Sequence, residues 1–150
     1  MIYLTSIINM NGPDEIIPNL YIGDYSVASD IYHLTIQNFN VIIRCLPTPP
    51  GHLLHNGIDY YHIPIEDAKT ENLVKHLPSV IRYIHQNLVQ GKKILVHCWA
   101  GKSRSPAIVI AYLMFRYNIS YEDAFMLVKR KRRVVKLNSG FVEQLQSTSL

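Results

Sequence analysis

A chain of 150 residues with 48% hydrophobic and 17% charged content can bury a core as one folded domain, which excludes the disordered class. Its two cysteines, far apart in sequence, imply no disulfide framework, and no apolar run approaches the ~20 residues of a membrane span. Residues 1–43 hold four acids and no Lys or Arg (−4), against 15 basic and 7 acidic residues beyond them (+8), which suits either a phosphorylated partner or a plain basic solvated face.

In chain order, Met1 to Met10 is apolar in patches but lacks the basic n-region and small-residue cleavage site of a signal peptide. Residues 1–15 are set apart as a segment without an assigned role, and residues 16–150 as the domain. Leu20 to Gly23 reads as a short strand and Val27 to Gln37 as a helix. Val41 to Cys45 is a β-branched strand, stopped by the Pro-rich turn Leu46 to Gly51. Tyr60 to Ile65 is the next strand. Leu73 to Val89 has helical spacing, broken or restarted at Pro78 and ended at Gly91. Lys93 to Cys98 is a buried strand, and helices follow over Ser105–Tyr117 and Tyr121–Arg132. Ser120 caps the second of these, with Asp123 three residues on, and a last helix begins near Asn138. Strands alternating with helices predict an α/β fold, a single-domain sandwich with a central, mostly parallel sheet of four or five strands flanked by helices.

The chemistry concentrates in the run His97-Cys98-Trp99-Ala100-Gly101-Lys102-Ser103-Arg104-Ser105. Cys98 ends the buried strand, Gly101 marks a tight loop, and Pro106 sits in the first turn of the next helix, where its missing N–H goes unused. Loop N–H groups and a helix N-terminus then converge on one point. Such a cradle binds anions and favours the thiolate form of a cysteine held in it. Arg104 adds a planar fork for two phosphoryl oxygens. Lying at the carboxyl end of a central strand, the loop occupies the place where such folds bind ligands.

This Cys-x5-Arg run, with Ser105-Pro106 and Ile108 to Met114 behind it, resembles the dual-specificity protein phosphatases. Ile17 to Gly23 resembles that family's opening strand and Ile63-Pro64-Ile65-Glu66-Asp67 its general-acid loop. Asn138-Ser139-Gly140-Phe141 with Gln144-Leu145 resembles its last helix. The likeness spans residues 16 to 147. It implies Cys98 as nucleophile, Arg104 as phosphate ligand, and Ser105 as donor to the departing thiolate. It makes Asp67 the general acid and base, 31 residues before the nucleophile, with Glu66 as the adjacent fallback. Trp99, Ala100, Gly101, Lys102 and Ser103 become the substrate cradle. His97 and Asn138 support the loop, and Arg132 falls where some relatives bind a second phosphate.

Other readings stand beside these. Cys98 alone is an inert buried cysteine, Ser105 a helix cap, and His97 a satisfied core histidine. The basic run Lys129 to Arg133 is a solvated helix end that complements the macrodipole, a nuclear address, or an anion pocket. Where relatives often carry prolines this chain has Arg133 and Leu137. Cys45 is either a small buried hydrophobe or, as in some relatives, the disulfide partner of the nucleophile under oxidation. His52-x-x-His55 lacks a third ligand, and no metal or cofactor is expected.

The expected activity is hydrolysis of phosphotyrosine and phosphoserine or phosphothreonine on a phosphoprotein, a phosphorylated kinase being one such substrate. No nucleic acid or membrane partner is expected, and the oligomeric state is not legible. A phosphoinositide or RNA 5′-phosphatase and an inactive phosphopeptide-binding module are the alternatives. A working thiolate suits a reducing compartment, the cytosol or the nucleus.

Overall fold

The computed structural model describes residues 12–51 and 54–150. The N-terminal Met1–Met10 and His52 of the histidine pair lie outside the described residues. Among those described, five strands form one sheet in the order β1-β2-β5-β3-β4. These are β1 (Asp14–Ile17), β2 (Leu20–Gly23), β3 (Val41–Cys45), β4 (Asp59–Ile63) and β5 (Ile94–His97). The pairs β2·β5, β5·β3 and β3·β4 are parallel, and β1 alone runs antiparallel, against β2.

The expected mostly parallel sheet is present, and its edge differs from expectation. Ile17 to Gly23 is not one strand. Pro18 and Asn19 turn it into a hairpin, Asn19 taking a positive φ of 70°, so β1 begins at Asp14, ahead of the 15/16 boundary. Asn tolerates that left-handed backbone better than most residues.

Side-chain alternation along the strands divides the core in two. Val41, Ile43, Ile94 and Val96 face the larger cluster, whereas Ile42 and Leu95 face a smaller one with Leu34 and Phe39. The small cluster is covered by α1 (Tyr25–Ser29) and α2 (Ile31–Ile36). The Val27–Gln37 helix is therefore two helices. Asp30 ends the first and caps the second, its side chain accepting from His33 N–H, a local bond that competes with helix continuation.

The larger cluster lies under α3 (Leu77–Val89), α4 (Arg104–Tyr117), α5 (Tyr121–Lys131) and α6 (Ser139–Ser147). Pro78 starts α3, preceded by a 3-10 turn at Val74–His76, and Gly91 turns the chain with a φ of 75°. Every residue from Ser105 to Met114 in α4 is buried. That helix is apolar all round and packs between β5, α3 and α5, as a central helix must. Ser120 caps α5 by accepting from Asp123 N–H at 3.1 Å, with Glu122 and Asp123 in its first turn and Lys129 to Lys131 in its last. The basic run is thus largely a helix end matched to the macrodipole.

Candidate active site

Strand β5 delivers Cys98 to the carboxyl edge of the sheet, and the chain turns over Gly101 before α4 begins at Arg104. Gly101 has a φ of 64°, and a Cβ there would meet the Arg132 guanidinium and the Gly23 carbonyl. Backbone conformation and crowding both demand glycine at this point. The loop curls around the sulfur. Gly101 N–H donates to Cys98 Sγ at 3.3 Å, and Ser105 Oγ lies 3.2 Å from the same atom. A backbone N–H and a hydroxyl thus lie directly against the sulfur.

Arg104 projects toward the neighbouring loop, where its Nη1 donates to the Ile65 carbonyl at 3.3 Å. Its Nε is buried and, among the described residues, has no hydrogen-bond partner. An unmet guanidinium donor in a water-poor position is costly, and an anion is the group that satisfies it.

His97 is buried, and its Nδ1 lies 3.0 Å from the Cys98 carbonyl, so that nitrogen carries the proton and donates. Burial, helped by the charges of Arg44 and Arg104, pushes this imidazole down to about 4. It is neutral at physiological pH and holds the loop by a hydrogen bond rather than by charge. Because its folded value lies below the ordinary 6.5, acid favours the unfolded chain. The penalty is absent above pH 6.5 and grows as pH falls toward 4, reaching about 3 kcal/mol there. Urea unfolding of the native protein and of His97→Asn between pH 7 and 4 measures it. The variant should lose less stability over that range, and parallel curves would remove His97 as the source.

Asp67 lies beyond β4, on the exposed stretch after Ile65. Its carboxylate accepts from Asn138 Nδ2 at 2.9 Å, while Asn138 also caps α6 by accepting from Phe141 N–H. Gln144 extends the same splint, its Oε1 accepting from Leu73 N–H and its Nε2 donating to the Glu71 carbonyl. Gly140 packs so closely on Lys69 that a Cβ would collide with the backbone there. Glu66 differs from Asp67 in its setting: its N–H is held by Glu71, and no hydrogen bond ties its carboxylate to α6. Ser103 closes the circuit, its hydroxyl accepting from Asn138 N–H at 3.0 Å. The loop, the acid segment and α6 are one hydrogen-bonded unit.

Arg132 is a correction. It is only 2% exposed, and each of the three guanidinium nitrogens donates behind the loop. Nε donates to the Gly101 carbonyl, Nη2 to the Ala100 carbonyl and Nη1 to Asp14 of β1, at 2.8, 3.2 and 2.8 Å. An arginine so occupied does not reach a second substrate phosphate. It holds the outward carbonyls of the loop, which turns the N–H face of those peptides inward. Sequence matching found the position; only the fold showed that Asp14, 118 residues away, neutralises it.

Cys45 is fully buried at the end of β3, beside β5, whose His97 pairs with Arg44. Burial, and secondarily the nearby Cys98, pushes its thiol well above the ordinary range, so it packs as a small neutral group.

The sequence of this domain matches the family described as "Dual specificity phosphatase, catalytic domain" over residues 20–149. The chain belongs to the dual specificity phosphatase family. It is 38% identical over 136 residues to mouse dual specificity protein phosphatase 22, covering 91% of this chain and 73% of that protein. To human dual specificity protein phosphatase 9 it is 37% identical over 134 residues, covering 89% of this chain but only 35% of that longer protein. The crystal structure of human DUSP28 superposes with a TM-score of 0.83 at 29% identity, covering 90% of this chain and 91% of that one. The α/β core and its loop are therefore those of a cysteine-dependent protein phosphatase domain.

Two features of this dual specificity phosphatase escaped the sequence reading. One is the Asp14–Arg132 ion pair behind the loop. The other is Tyr25, whose N–H donates to the Trp99 carbonyl at 2.9 Å and whose ring stacks on Trp99. Neither carries a local signal, because each joins residues that only the sheet brings together.

Proposed function

We propose that this domain hydrolyses phosphotyrosine and phosphoserine or phosphothreonine on phosphoproteins, phosphorylated kinases among them, in the cytosol or nucleus. The observation that carries this reading is the buried Nε of Arg104, partnerless among the described residues, at the end of a loop whose Gly101 N–H donates to the Cys98 sulfur. Cys98 Sγ attacks phosphorus while the bond to the ester oxygen breaks, and Asp67 gives that oxygen its proton. Water then attacks the phosphocysteine, Asp67 takes the proton, and the S–P bond breaks. Ser105 donates a hydrogen bond to the sulfur as it leaves. Arg104 and the N–H groups from Trp99 to Ser103 hold the phosphoryl oxygens through both steps.

The test is phosphate release from a peptide carrying both phosphothreonine and phosphotyrosine, with and without chelator. Release at both residues, unchanged by chelator, is expected. A folded protein that leaves this peptide intact and instead cleaves a phosphoinositide or an RNA 5′-phosphate would overturn the reading.

A further inference from the structure

Trp99 follows the nucleophile directly, yet the residue is 64% exposed, a large hydrophobic side chain presented by the loop. The ring is not loose. Its inner face stacks on Tyr25 with centroids 5.0 Å apart and planes at 26°, and the backbones of the two residues are joined by the Tyr25 N–H bond. Tyr25 is braced in turn by the Arg44 guanidinium, 5.8 Å above its ring, and by the His97 ring at 6.5 Å. The result is a fixed aromatic plate at the rim of the phosphate loop, one face supported and one face open.

We infer that Trp99, held by Tyr25, is the residue that favours aryl phosphates over alkyl phosphates at this site. The inference rests on the phosphatase reading. With the phosphoryl group seated on Cys98, the substrate atoms nearest the rim are those just beyond the ester oxygen. In phosphotyrosine they form a flat ring able to stack on the open indole face. In phosphothreonine they are a short branched stem that offers it little. Offset stacking adds to the gain from removing both apolar faces from water. Because the ring contact exists before and during bond cleavage, it should act on KM rather than on kcat.

The experiment compares one peptide sequence in phosphotyrosine and phosphothreonine forms, with native protein, Trp99→Leu and Trp99→Phe. Trp99→Leu should raise the ratio of the phosphotyrosine KM to the phosphothreonine KM about tenfold, whatever loss the two peptides share. Trp99→Phe should restore most of the difference. Trp99 is the single tryptophan, so binding of the phosphotyrosine peptide to Cys98→Ser should also quench the protein's fluorescence more than the phosphothreonine peptide does. Equal losses on both peptides, or none on either, overturn the plate and leave the phosphatase reading intact. A native protein inactive on both peptides overturns that reading and the plate with it.

Discussion

Cys98→Ser should lower phosphate release at least about 10⁴-fold, on phosphotyrosine and phosphothreonine alike, while the protein still binds phosphopeptide. A cysteine sulfur is an intrinsically strong nucleophile, whereas a serine hydroxyl needs a neighbouring base to take its proton. Among the described residues, the groups hydrogen-bonded to the sulfur are Gly101 N–H and the Ser105 hydroxyl, and neither is a base. His97 directs its Nδ1–H to the Cys98 carbonyl rather than to the sulfur. The substitution leaves Arg104 and the loop N–H groups in place, so the anion cradle should persist. Single-turnover phosphate release and Trp99 fluorescence separate the two effects. Turnover by Cys98→Ser within a hundredfold of native would mean that the phosphoryl group never rests on this residue.

Asp67→Asn comes second in size, and its signature depends on the leaving group. General acids supply roughly 10²–10⁴-fold, and the benefit is greatest where the departing oxygen is most basic. The loss should therefore be about 10²-fold or more on a phosphothreonine peptide and less on phosphotyrosine. It should be under about tenfold on an activated aryl phosphate, whose leaving group departs as a stable anion. The ranking across the three substrates is the measurement, and a uniform loss would demote Asp67 to a structural residue. Gly140→Ala offers an independent route to the same loop, since a methyl there meets the Lys69 backbone and displaces the segment that Asn138 and Gln144 hold. It should show the same ranking with a smaller amplitude. Glu66→Gln, which alters a carboxylate with no tie to α6, should show none of it.

Much of this was legible from residue order because the groups concerned are local. The loop and its helix occupy one contiguous run, so the Cys98, Gly101, Arg104 and Ser105 arrangement follows from a strand, a turn and a helix in that order. Ser120 and Asn138 announce their helices by side chains that reach only three residues on. Strands β2 and β3 show as β-branched or apolar stretches at the positions they occupy. The break at Asp30 was missed because an acid inside an apolar pattern reads equally as a surface helical residue or as a cap.

What only the tertiary structure decided involves partners far apart in sequence. From sequence alone, Arg132 is an arginine at a matching distance from the nucleophile; in the fold it turns inward because β1, an antiparallel edge strand, brings Asp14 and buries the pair against the loop carbonyls. A charge at a helix end goes to whichever acceptors surround it, and sequence spacing does not say which those are. Trp99 likewise reads as one more cradle residue until Tyr25 from α1 fixes its ring. Local chemistry was written in the order of residues. The direction in which its side chains point was settled by burial, since desolvated charges and rings take the partners the sheet brings within reach.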